Sequence, residues 1–200
     1  MLKLAWATHE AAKYACEHWH YSRCIPKSKL AKIGVWENEK FIGVVIFGVG
    51  ANNNLGKPYG LHSTNVCELV RIALTTHRTP VTRIVSIALK MLRKAFPKLR
   101  LVISFADSEQ GHKGTIYVAG GWMYAGASIP ADEYIIKGKR WHGRSLRNSK
   151  PTHLTTKQYA LLLDKDAQII KGSSKLRFLM PLDDATKKIA VAFQREYVLK

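Results

Sequence analysis

Acidic side chains are scarce in this chain of 200 residues, where 14 Asp and Glu face 32 Lys and Arg for a formal charge of +18. Solubility needs nothing so lopsided, and the excess argues for a polyanionic partner, nucleic acid before membrane. Cysteine is also rare: Cys16, Cys24 and Cys67 are odd in number and lack CxxC spacing, which excludes a disulfide frame and argues against a cysteine zinc site. They read as reduced thiols. No run of about 18 apolar residues occurs, so no membrane span is expected. The N-terminus is too polar after Trp6 for the apolar segment of a signal peptide. Internal repeats, low-complexity segments and a GxGxxG fingerprint are missing as well. What is present is 46% hydrophobic content with five Trp, enough for one real core. That balance favours a folded enzyme or nucleic-acid reader over a ribosomal-type packing protein.

The chain reads in order as follows. Residues 2–6 alternate weakly, as a first strand, and Thr8 caps a helix that reaches about His18. In residues 18–26, HWHYSRCIP, Pro26 discourages helix at Ile25, leaving a turn or broken helix richer in titratable groups than a turn requires. Residues 31–36 and 40–48 form a hairpin across 37–39, the second strand apolar enough to be buried on both faces. A long loop is expected over 52–60. Residues 66–74 make another strand, in which strict alternation puts Cys67, Leu69 and Arg71 on one face and Glu68, Val70 and Ile72 on the other. A charge on each face needs an ion-pair partner or a function. Thr79 as cap and Pro80 as first residue open a helix that Pro97 ends. Its apolar face includes Ile84, Ala88 and Leu92, while Arg83, Lys90 and Lys94 make a stripe that is either a solvated face or a contact to backbone phosphates.

The most suggestive stretch is residues 101–122. A short strand runs into Ser104 and Asp107, and Gly111-His112-Lys113-Gly114-Thr115 then leads into a helix with Tyr117. Open α/β sheets build sites in this way beyond strand carboxyl ends. Asp, Gly and Ser are equally ordinary turn formers. Strands are expected at 122–127 and 133–136. Residues 137–150 then carry six Lys or Arg and no acid, among them Lys139, Arg140, Arg144 and Arg147, with Trp141 and His142 between. Phosphate contact with stacking or wedging suits such a stretch, and so does a solubilising loop. The tail carries a helix near 158–163, a strand near 176–180 and a helix from about Asp183.

This order of elements matches the GNAT acyltransferase architecture, an α/β fold with a mixed, splayed central sheet flanked by helices. The expected division is a catalytic domain over 1–145 and a basic C-terminal extension, 146–200, packed on the same domain. Within that frame, His20-Tyr21-Ser22 with Pro26, Glu68-Leu69-Val70-Arg71, Thr82-Arg83, Ser104-Phe105-Ala106-Asp107 and Gly111 through Tyr117 resemble the Mom family of phage DNA-modification proteins. The resemblance covers roughly residues 15–145. It implies a transferase that adds a methylcarbamoyl group to the exocyclic amine of adenine in double-stranded DNA, shielding phage DNA from restriction in the cytoplasm of an infected cell. Its partners would be DNA and a small-molecule donor, with a second copy of the chain left open and no membrane.

Residue roles follow from the same resemblance. The amine lies inside the base stack, so base flipping is expected, with Trp141 or Tyr21 as the inserted aromatic. Asp107 is the general base or the acceptor for the amine, and Tyr117 stands where a general acid is often kept. Ser104 hydrogen-bonds donor or base. Arg71, oriented by Glu68, binds a carboxylate or phosphate of the donor. Thr82, Arg83 and His112 complete the cofactor contacts. His20, His112 and Asp107 make a two-His, one-carboxylate set suited to iron. DNA contacts fall to Arg83, Lys90, Lys94, Lys139, Arg140, Trp141, Arg144 and Arg147. One departure stands out. GNAT enzymes hold the pyrophosphate of coenzyme A in a QxxGxG loop, where this chain reads THRTPVTR, residues 76–83, without glycine. That favours a glycine-like donor, with iron or another redox cofactor, over acetyl-coenzyme A. The rival readings are a non-catalytic DNA-binding protein on this fold and a conventional acetyl-coenzyme A-dependent N-acetyltransferase.

Overall fold

A computed structural model describes residues 1–50 and 54–198, so positions 52 and 53 of the expected loop lie outside the described residues. The first part of the chain forms β1 (Leu2–Trp6), α1 (His9–Trp19), β2 (Leu30–Glu37), β3 (Lys40–Gly48), β4 (Val66–Leu74), α2 (Val81–Ala95), β5 (Leu101–Asp107), α3 (Thr115–Ala119) and β6 (Met123–Ala127). The remainder forms β7 (Asp132–Ile136), β8 (Lys139–His142), α4 (Gly143–Ser149), α5 (Thr156–Leu163), β9 (Gln168–Lys171), β10 (Lys175–Pro181) and α6 (Asp184–Phe193). Local chemistry explains several boundaries. The Thr8 side chain accepts from Ala11 N at 3.2 Å, as its position predicts. Asn38 and Glu39 both have positive φ, 49° and 65°, the backbone that a two-residue hairpin turn demands.

The main sheet has seven strands in the order β1-β2-β3-β4-β5-β10-β6. Only the β4–β5 pair is parallel; the other neighbours run antiparallel. Helix α1 covers one face, burying Ala12, Ala15 and Cys16 with Val44, Ile46 and Ala73. On the other face, Ile84, Val85, Ala88 and Leu92 of α2 share a core with Ile33, Val45, Cys67 and Val102. The three cysteines are free, with Cys24 alone exposed. No helix among the described residues is long and apolar enough to cross a membrane.

Two features position the site. The parallel β4–β5 pairing lasts only from Val66↔Leu101 to Leu69↔Ser104, after which the strands part. A bulge lies just there: Phe47 of β3 faces Leu69 and its neighbour Ile46 faces Arg71, which leaves Val70 as the extra residue. The bulge also corrects the expected alternation. Cys67 and Leu69 face the α2 core together with Ile72 and Leu74, whereas Val70 and Ala73 face α1. Arg71 thereby leaves the face of Cys67 and Leu69 and comes close enough to Cys16 and His20 to act on both electrostatically.

The chain after β6 departs from its expected division. The boundary at 145/146 falls inside α4, and β10 lies in the main sheet between β5 and β6. No basic extension follows residue 145 as a unit. Instead, β7, β8 and β9 form a separate three-stranded sheet, ordered β8-β7-β9, with a small core of Tyr134, Ile136, Leu146 and Ala160. Residues 137–150, open to reading as a loop, are thus a strand and a helix. The basic residues masked their periodicity, because apart from buried Gly143 the side chains that turn inward are Trp141 and Leu146.

Candidate active site

The parting of β4 and β5 opens a cleft of about 790 Å³, in the range of ligand sites. His20 and Tyr21 enter it from the turn after α1, Glu68 and Arg71 from β4, Asp107 from the end of β5, and His112 and Tyr117 from the loop and helix that follow. Seven positions spread over a hundred residues therefore share one hollow. Arg23 steadies the turn: its guanidinium donates to Glu17 O at 3.0 Å and His18 O at 2.7 Å, closing the end of α1. Gly114 must be glycine, because its φ is +76° and an added Cβ would sit 2.2 Å from the Phe178 ring.

Each titratable group has a definite state. His20 Nδ1 takes a hydrogen bond from Ser22 N at 3.1 Å and lies 2.8 Å from Ser22 Oγ. Accepting there leaves the proton on Nε2. Burial, then the charge of Arg71 and the proximity of His112, lower its pKa to about 4, so the imidazole is neutral. Tyr21 stacks obliquely on His20 at 4.3 Å and edge-on to His112 at 5.2 Å. Burial raises its pKa. Asp107 Oδ1 accepts from Ser173 Oγ at 3.0 Å and Glu109 N at 3.2 Å, and Oδ2 pairs with Lys175 at 3.3 Å. Burial opposes ionisation, but Lys175 and these hydrogen bonds outweigh it and hold the carboxyl below its ordinary range.

Arg71 donates from Nη1 to Val70 O at 2.7 Å, and its Nε is buried without a hydrogen-bond partner among the described residues. Ser104 is fully buried, with its Oγ 3.0 Å from Leu69 O and 2.7 Å from Tyr117 Oη. A hydroxyl has one proton and a carbonyl can only accept, so Ser104 donates to Leu69 and Tyr117 donates to Ser104. Burial pushes Tyr117 up to about 12. Ser104 is thus a strut behind the site, and the Tyr117 proton points into the wall.

Comparison with known proteins places this geometry. The Mom protein family model matches residues 1–198. The chain belongs to the Mom protein family. Among its relatives is Methylcarbamoylase mom of Escherichia phage Mu, 32% identical over 127 residues, which are 62% of this chain and 52% of that protein. The matched stretch therefore spans about half the relative's length. Among solved structures, the aminoglycoside acetyltransferase AAC(6')-Ib in complex with coenzyme A and kanamycin superposes with a TM-score of 0.54 at 8% identity, covering 94% of this chain and 98% of the other. The aminoglycoside N-acetyltransferase AAC(6')-Ib11 gives 0.50 at 10% identity, covering 91% and 97%. This member of the Mom family has the GNAT acetyltransferase fold.

In this Mom family chain the entrance to α2 is held by a side chain from the end of β2. The amides of Arg78 and Thr79 both donate to the Glu37 carboxylate, each at 2.8 Å, and the Thr79 hydroxyl donates to it at 2.5 Å. The Glu37 carboxylate thus takes the amides just before the helix, and its charge would repel a pyrophosphate brought to them. Those bonds hold Glu37 at about 2, so it stays ionised. The expected cap is also corrected, since Thr79 lies before the helix and Pro80 occupies the cap position without a side-chain bond. The iron set is corrected too. His20, His112 and Asp107 line one cleft, yet no three His, Cys, Asp or Glu among the described residues gather into a metal-holding cluster. Asp107 is already held by Lys175 and Ser173.

The remaining expected residues divide. Thr82 and Lys90 line a second hollow of about 220 Å³ beside Trp122, outside the main cleft. Arg83 and Lys94 are exposed on α2. Arg144 lines the cleft, and Arg147 is exposed on α4. Lys139 lies 5.7 Å over the Trp141 ring, and Trp141 packs against the small core instead of standing free. Arg140 is committed to acids: it bonds Glu109 at 2.7 and 3.1 Å and also pairs with Glu133, joining β8 to the loop after β5. Lys175, Ser173 and His142 are cleft residues that sequence reasoning missed. No motif marks them. Only the antiparallel register Lys175↔Asp107 brings that lysine to the site.

Proposed function

We propose that this Mom family member is a transferase that modifies phage DNA, placing a methylcarbamoyl group on the exocyclic amine of adenine and so protecting the DNA from restriction. The observation that carries the reading is the convergence of His20, Tyr21, Arg71, Asp107 and His112 on one cleft of about 790 Å³ in a chain of charge +18. The name of the phage Mu relative supports it. Duplex DNA supplies the polyanion, and a purine extruded from the stack fits the hollow. Tyr21 and His112 offer ring faces to that base. Asp107, kept ionised by Lys175, accepts the hydrogen bond of the amine and so orients it toward the donor. Arg71, whose Nε has no hydrogen-bond partner among the described residues, receives an anionic group of the donor. The Glu37 carboxylate supports a donor other than coenzyme A.

Nucleoside mass spectrometry of DNA from cells expressing the protein, with Asp107→Ala beside it, tests the reading. The expected result is an added mass on deoxyadenosine that the variant abolishes. Unmodified DNA from well-expressed wild type, with salt-dependent DNA binding intact, would favour a binding protein on a transferase fold.

A further inference from the structure

The chain leaves the main sheet along residues 128–131 and returns along 172–174. The two crossings are tied together. Ser128 N donates to Lys175 O at 2.8 Å, Lys175 N to Ser128 Oγ at 2.9 Å and Gly172 N to Ala131 O at 2.9 Å. Between these ties stand Ile129 and Pro130. Ile129 is 91% exposed, matched among the described large hydrophobic residues only by Met1 at the chain start, and it lines the rim of the cleft.

A lone exposed aliphatic side chain is ordinary on a protein surface and by itself says nothing. Three further facts give this one meaning. Its backbone is braced on both sides, so the side chain is held out instead of folding onto the neighbouring core. Pro130 fixes φ and offers no amide hydrogen, which stiffens the point. The cation Arg144, exposed on α4, lines the same cleft, where a backbone phosphate of a docked duplex would need it. Of the two aromatics expected to enter DNA, Trp141 packs against the small core, and Tyr21 lies inside the cleft against His20 and His112, placed to face the extruded base.

We propose that Ile129, backed by Pro130, is the wedge that enters the base stack of duplex DNA and fills the gap left by the adenine that turns into the cleft. The inference rests on the DNA-adenine reading above. Apolar side chains inserted at base steps unstack and kink the duplex there. Burying an isoleucine between the bases offsets part of the cost of unstacking.

Ile129→Ser and Ile129→Phe test the wedge, because a residue this exposed can change without disturbing the core. Duplex DNA with 2-aminopurine replacing a fraction of its adenines reports extrusion by brighter fluorescence. Wild type and Ile129→Phe should brighten it, while Ile129→Ser should bind the same duplex within about threefold yet give less than about half the rise. In cells, Ile129→Ser should lower modified deoxyadenosine by about tenfold or more, with Ile129→Phe retaining most of it. Equal brightening and equal modification by Ile129→Ser would overturn the wedge and leave the DNA-adenine reading standing. No added mass in DNA made with wild type would overturn that reading, and the wedge with it.

Discussion

Tyr117 and His20 show how hydrogen bonding decides what a side chain in the cleft can contribute. Tyr117 reaches the cleft, but its hydroxyl is engaged by buried Ser104. Tyr117→Phe should therefore cost about 1 kcal/mol of stability, the net worth of one buried hydrogen bond, in urea unfolding. DNA modification should stay within several-fold of wild type; a loss of a hundredfold or more would restore the general-acid role. His20 makes a pH prediction. The unfolded chain protonates this imidazole near 6.5, and the folded protein only near 4. The contribution of its neutral form is complete above pH 6.5 and is lost as pH falls toward 4, because the unfolded state binds the proton first. The urea midpoint should fall more steeply over that interval in wild type than in His20→Gln.

At the level of elements, the β2–β3 hairpin controls the entrance to α2. The two left-handed residues of its turn hold Glu37 at the end of β2, where its carboxylate takes the amides of Arg78 and Thr79. Calorimetric titration of wild type with coenzyme A should give no binding heat, and micromolar affinity there would sink the assignment. Glu37→Gln should lower the melting temperature at pH 7. It should also flatten the loss of stability as pH falls from the ordinary carboxylate range toward about 2, the folded value of Glu37. The β4 bulge matters in a different way, since the extra residue at Val70 brings Arg71 to the side of His20.

For the molecule as a whole, charge and architecture separate two kinds of arginine. Arg144 and Arg147 are exposed, whereas Arg140 ties the small sheet to the loop after β5 through Glu109 and pairs within the small sheet with Glu133. Replacing Arg144 or Arg147 by Ala should weaken duplex binding uniformly across sequences and reduce the slope of log K against log salt by about 1 each. Arg140→Ala should instead lower the melting temperature and leave that slope nearly unchanged. Gel retardation across a salt series, with thermal unfolding beside it, distinguishes the two outcomes.

Local pattern alone determined much of this protein. Apolar runs and weak alternation placed β1 to β5, Thr8 marked the start of α1, and the run from Ser104 to Tyr117 marked a wall of the cleft, because these signals depend on neighbours close in the chain. The basic excess likewise needs no fold to be read. Residues 137–150 defeated such reading, since charged side chains on a two-sided strand and a short helix hide both periods. The bulge at Val70, the insertion of β10 beside β5 and the reach of Glu37 to Arg78 belong to tertiary structure alone. Each depends on which distant backbone lies alongside, and hydrogen-bond register between strands far apart in sequence leaves no mark within either one.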